Sequence, residues 1–488
     1  MTTSPSAGAE TGARGAPLNV AAAVAATLAL AVALLWPAML NGGPLIFFDT
    51  MHYLQQGASA VDLVLGKIAA LASPAVESTA GADIGGSHEV EREGSFVRSI
   101  IYPAFIYIGS LSPLGFTGFA LLQSILVVAL IGVIAGREAA ARPAAAAAAA
   151  AVCVTMTALP WTVSFLMPDI LAAVAILCAM IVAARLDRIG LIGKLFVFGA
   201  ATLAALSHYG HPPLYIAAST AALLALLAQR RLSFLAVALT VGPLVATAVA
   251  SLGVNEAVFD EPSLAPRRLP ILLARSIEDG PALWHLQAHC DEYNYAVCEI
   301  WGHEIPNDLG SILWSRDGLM KKATDEQMDR IRDEEFLILG RSLMEFPFEQ
   351  TWSFAGNAVR QTIMIGLADM SWGRVTEDAD GRFVREASGS RNASGLSGVG
   401  LAQKAVVLGS VGLIAFWFFK DGLRVGDRER ALLFVAIVGL LANAAIFGGL
   451  SAPVDRYQAR VIWIVPLLAA LFWLSRWRRS AAPRRVDV

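Results

Sequence analysis

Charge is in short supply in this 488-residue chain: Asp, Glu, Lys and Arg make up 16% of it, against 56% hydrophobic residues. A soluble protein of that length needs far more charge to cover its surface, so the composition excludes a fold solvated by water alone. A secretory cleavage pattern is also missing. The first apolar run, Leu18 to Leu40, is too long for a signal-peptide core and reads as a retained span. Internal repetition is missing as well: the two halves differ in loop size and spacing, which argues against a repeat-built transporter.

Cysteine is scarce, with four in the chain. Cys153 and Cys178 lie in apolar runs and read as small buried hydrophobes. Cys290 and Cys298 stand eight apart in a polar segment, a spacing suited to a local disulfide in an oxidising compartment. A metal site is the rival reading there, but with His289 and His303 nearby the spacing fits no zinc pattern.

What the chain has in abundance is apolar runs long enough to cross a bilayer. They fall at 18–40, 114–136, 141–160, 164–184, 193–208, 212–229 and 232–253, then at 401–419, 431–450 and 459–475. The expected fold is an all-α polytopic membrane protein of about ten transmembrane helices, with interfacial helices and a large outer loop domain. The run 99–112 is short, carries Pro103 and reads as an interfacial or half-membrane helix. The organisation divides into a disordered tail (1–17), a transmembrane module (18–253) with a long first outer loop (41–113), a loop domain (254–400), C-terminal helices (401–475) and a basic tail (476–488). Within the loop domain, Asp317–Arg341 reads as a solvated amphipathic helix and 371–400 as a mobile segment. Trp284, Trp301, Trp314 and Trp352 read as interfacial anchors.

Charge placement orients this path. With the N-terminus inside, the inner connections carry Arg137 and Arg142, Arg185–Lys194, Arg230 and Arg231, Lys420–Arg430 and the final basic tail. Each short connection assigned inside is basic, as the positive-inside rule requires.

Polar groups at membrane depth cost several kcal/mol unless satisfied or used. Four clusters qualify, all on the outer face. Asp49, with His52 and Tyr53, follows the aromatic pair Phe47-Phe48; partial desolvation there raises basicity and suits a general base, while helix capping is the bland alternative. Asp169 follows Pro168 near the outer end of a hydrophobic helix, where a functional acid and a helix-dipole partner are equally good readings. His208 and His211 flank a tight turn that could bind phosphate or metal, or be a polar turn only. The last cluster is cationic: Arg98 with Tyr102-Pro103, then Arg456-Tyr457 and Arg460. Outer arginines run against the charge bias, and a lipid phosphate held by a guanidinium fork explains them; an ion pair with Asp455 is the alternative.

At these residues the chain resembles the GT-C superfamily of membrane glycosyltransferases, in the branch of the protein mannosyltransferases and aminoarabinose transferases. The first span ends in an aromatic stretch with Asp49, and a long first outer loop follows. Arg98-Ser-Ile-Ile-Tyr102-Pro103 is similar to that branch's R-x-P-x-Y-P stretch, and Arg456-Tyr457 to its late R-Y. Thr50 stands where the mannosyltransferases carry the second acid of an Asp-Glu pair, and the first proline of the Arg98 stretch is absent. The resemblance implies transfer of a sugar from a polyprenyl phosphate donor to a hydroxyl of a glycan, lipid or protein. Asp49 and Asp169 would be catalytic, Arg98, His208, His211 and Arg456 would hold the donor phosphate, and His52, Tyr53, Tyr102 and Tyr457 would line the substrate site. A divalent cation is optional in this superfamily. The composition, with many Ala and Arg, reads as that of a bacterial inner-membrane protein, and the charge placement sets both termini on the cytoplasmic side and the site on the periplasmic side. An O-antigen ligase or polymerase taking a lipid diphosphate glycan, a transporter of lipid-linked substrates and a non-catalytic scaffold are the competing readings.

Overall fold

Hydrocarbon offers backbone N–H and C=O groups no partners, so apolar runs must close their hydrogen bonds internally, and helices do this. The computed structural model describes residues 20–72, 99–367, 369–370, 372–378, 383–386, 394–421 and 426–480. The N-terminal tail, Arg98 and parts of the 371–400 segment lie outside the described residues.

The first half contains α1 (Val20–Leu34), α2 (Trp36–Asn41), α3 (Phe48–Ala72), α4 (Ile101–Ser110), α5 (Gly115–Ala140), α6 (Pro143–Met156), α7 (Leu159–Val163), α8 (Asp169–Arg185), α9 (Leu191–Leu206), α10 (His211–Ala228) and α11 (Phe234–Phe259). The loop domain contributes α12 (Ile271–Asp279), α13 (Pro281–Tyr293), α14 (Ala296–Trp301), α15 (Leu309–Trp314), α16 (Leu319–Lys322), α17 (Asp325–Glu345) and α18 (Pro347–Ile363). A hairpin of β1 (Arg374–Glu377) and β2 (Phe383–Glu386) follows, then α19 (Ser394–Asp421), α20 (Asp427–Asn443), α21 (Asp455–Ile462) and α22 (Ile464–Ser480).

Seven helical stretches among the described residues are long and apolar enough to cross a membrane: Gly115–Gly136, Asp169–Arg188, His211–Ala228, Phe234–Phe259, Ser397–Lys420, Asp427–Gly449 and Asp455–Ser475. Val20–Leu34, Pro143–Met156 and Leu191–Leu206, where crossings were also expected, are shorter apolar helices, as is Ile101–Ser110. The first expected span is interrupted at Leu35 and continues as α2, with Pro37 in its first turn, where a missing N–H does no harm.

Helix α8 is the axis of the bundle. Every one of its residues is buried, as expected of a helix that is apolar all round. Its alanines let neighbours approach closely; on α20, Gly439 faces Ile176 at a distance that leaves no comfortable room for a Cβ.

The loop domain has its own hydrophobic core, built from Leu273, Ile277, Leu286, Val297, Ile312, Ile331 and Ile338 among others. Cys290 and Cys298 form a disulfide across the α13–α14 turn, with Cα atoms 5.5 Å apart. The structure shifts two expected boundaries and adds an element. Helix α11 runs to Phe259, so the loop domain starts later than residue 254. The amphipathic helix begins at Asp325 rather than Asp317, because Thr324 and Gln327 form a capping box there. The 371–400 segment contains a hairpin that no alternating pattern announced. Trp284, Trp314 and Trp352 are exposed, whereas the Trp301 indole donates to the Asp317 carbonyl at 3.1 Å.

Candidate functional site

Two segments distant in sequence meet just before α3 and α8. Leu45 N donates to Ser164 O at 2.8 Å and Leu166 N to Leu45 O at 2.9 Å, a single parallel bridge. Thr50 reinforces it: its hydroxyl accepts from Phe47 N at 2.9 Å and donates to Leu166 O at 3.3 Å. The helices that leave this bridge carry Asp49 and Asp169 in their first turns, so the two acids start from one backbone junction. Thr50, at the position of the missing second acid, is fully buried and serves that junction.

Helix α21 supplies the cations. Its start is held from the loop domain. Gln361 of α18 donates to Val454 O at 2.8 Å and accepts from Val454 N at 2.9 Å. Asp455 accepts from Gly366 N at 3.0 Å, and Asp369 accepts from Arg456 N at 3.1 Å. Gly448, in the π-helical turn Ala444–Gly449, lies against Gln361 so closely that a Cβ would collide with it. The expected alternative, Arg456 paired with Asp455, is not what forms: Arg456 pairs with Asp169.

Both arginines turn instead toward Asp169. Arg460 Nη1 donates to Asp169 Oδ1 at 3.3 Å and Nη2 to Asn443 Oδ1 at 3.1 Å. Arg456 Nε lies 3.6 Å from Asp169 Oδ1, an ion pair too long for a hydrogen bond. The side chains of Asp169, Arg456 and Arg460 are 3%, 8% and 2% exposed. Aromatic faces complete the enclosure: the Arg456 guanidinium sits 4.0 Å from the Phe47 centroid, and that of Arg460 3.9 Å from Phe447, with Tyr457 beside both. Asp49 and Tyr53 lie within electrostatic reach of Arg456.

Two buried guanidinium groups against one carboxylate leave positive charge and unused donors. Among the described residues, Arg456 Nε and Nη1, Arg460 Nε and His211 Nε2 are buried without a hydrogen-bond partner. Such groups are rare in folded proteins and point to a bound group that completes them.

The histidine turn divides its labour. His211 is fully buried, and its Nδ1 faces the Ala204 carbonyl at 2.8 Å. A carbonyl only accepts, so Nδ1 carries the proton and a neutral His211 presents Nε2 as a bare acceptor. His208 is the reverse: Nδ1 accepts from Gly210 N at 3.0 Å, leaving Nε2–H as the donor. A phosphate is thus complementary to neutral His208, and to His211 only as an imidazolium. Between them, burial pushes the Tyr209 phenol up to about 12.

Tyr102 is buried, donates to Gln123 Oε1 at 3.0 Å and meets Tyr53 edge-on with centroids 5.8 Å apart. It supports the wall rather than offering a free hydroxyl. His52 is exposed, and Arg98 lies outside the described residues. A cation at Asp169 would have to displace two guanidinium groups. The His and carboxylate donors close enough to share one metal ion, among the described residues, lie instead in the loop domain. An apolar cavity of about 260 Å³ between α6, α19 and α22 contains no residue of the cluster.

Asn443 and Gln458 are the site residues that the four sequence clusters omit. Asn443 donates to Tyr457 O at 2.7 Å and to Gln458 Oε1 at 2.9 Å, and both are fully buried. The signal was present: an amide inside the run Leu440-Leu441-Ala442-Asn443-Ala444 meets the same polar-at-depth criterion. The chain matches no known protein family, no curated protein and no solved structure.

Proposed function

We propose that the protein is a membrane glycosyltransferase that moves a sugar from a polyprenyl phosphate donor to a hydroxyl acceptor. The observation that carries this reading is the pair of buried arginines facing one carboxylate with unpartnered guanidinium nitrogens. A phosphate supplies the missing acceptors and balances the surplus charge.

In the proposed reaction Asp49 takes the proton of the acceptor hydroxyl. The oxygen forms a bond to the anomeric carbon as the bond from that carbon to the phosphate oxygen breaks, with inversion. The lipid phosphate leaves with one more negative charge than it had as a diester, and Arg456 and Arg460 lie where that charge develops. His208 adds a neutral donor. Asp169, with two arginine partners, is the counter-ion that keeps the fork oriented in the absence of donor. A path of ten crossings with both termini on the cytoplasmic side of a bacterial inner membrane would set this cluster on the periplasmic face, where the lipid-linked donor diffuses.

Two arginines also suit a diphosphate, which is the ligase-like alternative. The test is transfer by purified protein and its Asp49→Asn and Arg456→Lys variants, using polyprenyl phosphate-sugars and polyprenyl diphosphate-glycans with a membrane extract as acceptor. Transfer from the monophosphate, abolished in Asp49→Asn while donor binding persists, supports the reading. Transfer only from the diphosphate selects the alternative, and undiminished transfer by Asp49→Asn removes Asp49 as the base.

A further inference from the structure

A second cluster of ionisable groups lies in the loop domain and has no part in the proposed transfer. His285 and His289 are four apart on α13, which puts both imidazoles on one helix face, with centroids 4.8 Å apart. Glu345, the last residue of α17, reaches that face. One oxygen, Glu345 Oε1, lies 3.0 Å from His285 Nδ1 and 3.3 Å from His289 Nε2. The three donor atoms lie within 4.8 Å of one another. Ligand atoms about 2.0–2.2 Å from a tetrahedral zinc ion stand roughly 3.3–3.6 Å apart, so each nitrogen is already near its place relative to the oxygen, and closing of the two nitrogens toward each other completes the set.

The outer nitrogens of both rings are held as metal-bound histidines require. His285 Nε2 lies 3.1 Å from the Tyr295 hydroxyl, and His289 Nδ1 lies 2.8 Å from Glu292 Oε2. Arg341, one turn before Glu345, donates to the Tyr295 hydroxyl at 2.6 Å and stacks 3.9 Å above Tyr293. The hydrogen bonds of His289 leave two explanations. Both nitrogens of His289 face carboxylate oxygens, and a neutral imidazole has one N–H to give. Either the ring is an imidazolium, or a cation stands between Nε2 and Glu345. With a cation in place every group is satisfied. His289 Nδ1–H donates to Glu292, His285 Nε2–H donates to Tyr295, and both inward nitrogens offer lone pairs. The nearby thiols are closed in the Cys290–Cys298 disulfide, which leaves a nitrogen and oxygen donor set.

We infer that His285, His289 and Glu345 form a binding site for a divalent metal ion of the zinc class. The ion clips α13 to the end of α17. His285 is buried, whereas the side chains of His289 and Glu345 are 27% and 36% exposed, so the fourth coordination position opens to solvent. Three protein ligands with one open position suit water or an anionic group there.

The test is metal titration of the full-length protein in detergent, disulfide intact, after removal of metal with a chelator. Co²⁺ is expected to bind at one equivalent with the visible absorption of a tetrahedral site, and Zn²⁺ to displace it. His289→Gln and Glu345→Gln, both at part-exposed positions, should each weaken binding at least ~100-fold, and Tyr295→Phe about 10-fold. His303→Gln, whose ring contacts Asp291 and the Gln287 carbonyl, should leave binding unchanged. Absence of a saturable equivalent in the native protein overturns the site, as does native affinity in both His289→Gln and Glu345→Gln.

Discussion

The two ends of the bundle repeat one motif in opposite surroundings. At one end Asp187 accepts from Arg428 at 2.6 Å and pairs with Arg231 at 3.2 Å. At the other, Asp169 sits between Arg456 and Arg460. Each is one carboxylate between two guanidinium groups. The first set is 28–47% exposed, so water completes its surplus donors and screens its charge. The second set is 2–8% exposed, and its surplus donors have no partner among the described residues. The lesson is that count and sign of charge do not make a site. Withdrawal from water turns a solvated ion cluster into one with donors left over, which the proposed function would fill with a phosphate.

Asp169→Asn should break the contrast most severely, by leaving two buried arginines without a counter-ion. A loss of about 3–5 kcal/mol of stability is expected, read as a lowered unfolding transition in detergent. Arg456→Lys keeps the charge but removes the fork. Donor phosphate should bind about 10–100-fold more weakly, a loss of about 1.5–3 kcal/mol, in equilibrium binding to a polyprenyl phosphate analogue. Glu138→Gln tests the intermediate case. Glu138 pairs with Arg185 at 3.2 Å, the two side chains being 18% and 10% exposed, and thermal unfolding should show about 1–2 kcal/mol lost. The smallest effect belongs to Asp187→Asn, expected within about 1 kcal/mol and shrinking as salt rises from low to physiological strength. If Asp187→Asn matched Asp169→Asn in unfolding experiments, burial would not be what distinguishes the two ends.

Much of this arrangement is legible along the chain, and the illegible part has a common cause. Asp49, Asp169 and Arg456 stand out because an ionised group beside a long apolar run is costly wherever that run is buried. Their partners do not stand out. The Leu45–Phe165 bridge that brings Asp49 and Asp169 to one junction is made of backbone groups of ordinary residues. The clamp on α21 depends on Gln361, Gly366 and Asp369, three unremarkable positions of the loop domain. His285 and His289 are visible as a helical pair, but Glu345, which makes them a candidate site, is separated from them by three short helices and the length of α17. The capping box at Thr324 was readable in Thr324 and Gln327, yet a longer charged run drew the expected start upstream to Asp317.

The amino-acid sequence by itself determined the solvent, because 16% charge and repeated apolar runs leave a bilayer as the environment that satisfies them. It also determined the helical segments, since local hydrogen bonding closes them without reference to the rest of the chain. Only the tertiary structure decided which arginines lose their water and which keep it. Desolvation depends on what neighbouring helices bring from elsewhere, here Phe47, Asn443 and Phe447 around Arg456 and Arg460. It likewise decided that two histidines and a distant glutamate converge on one point, a matter of how α13 and α17 pack rather than of spacing along either helix.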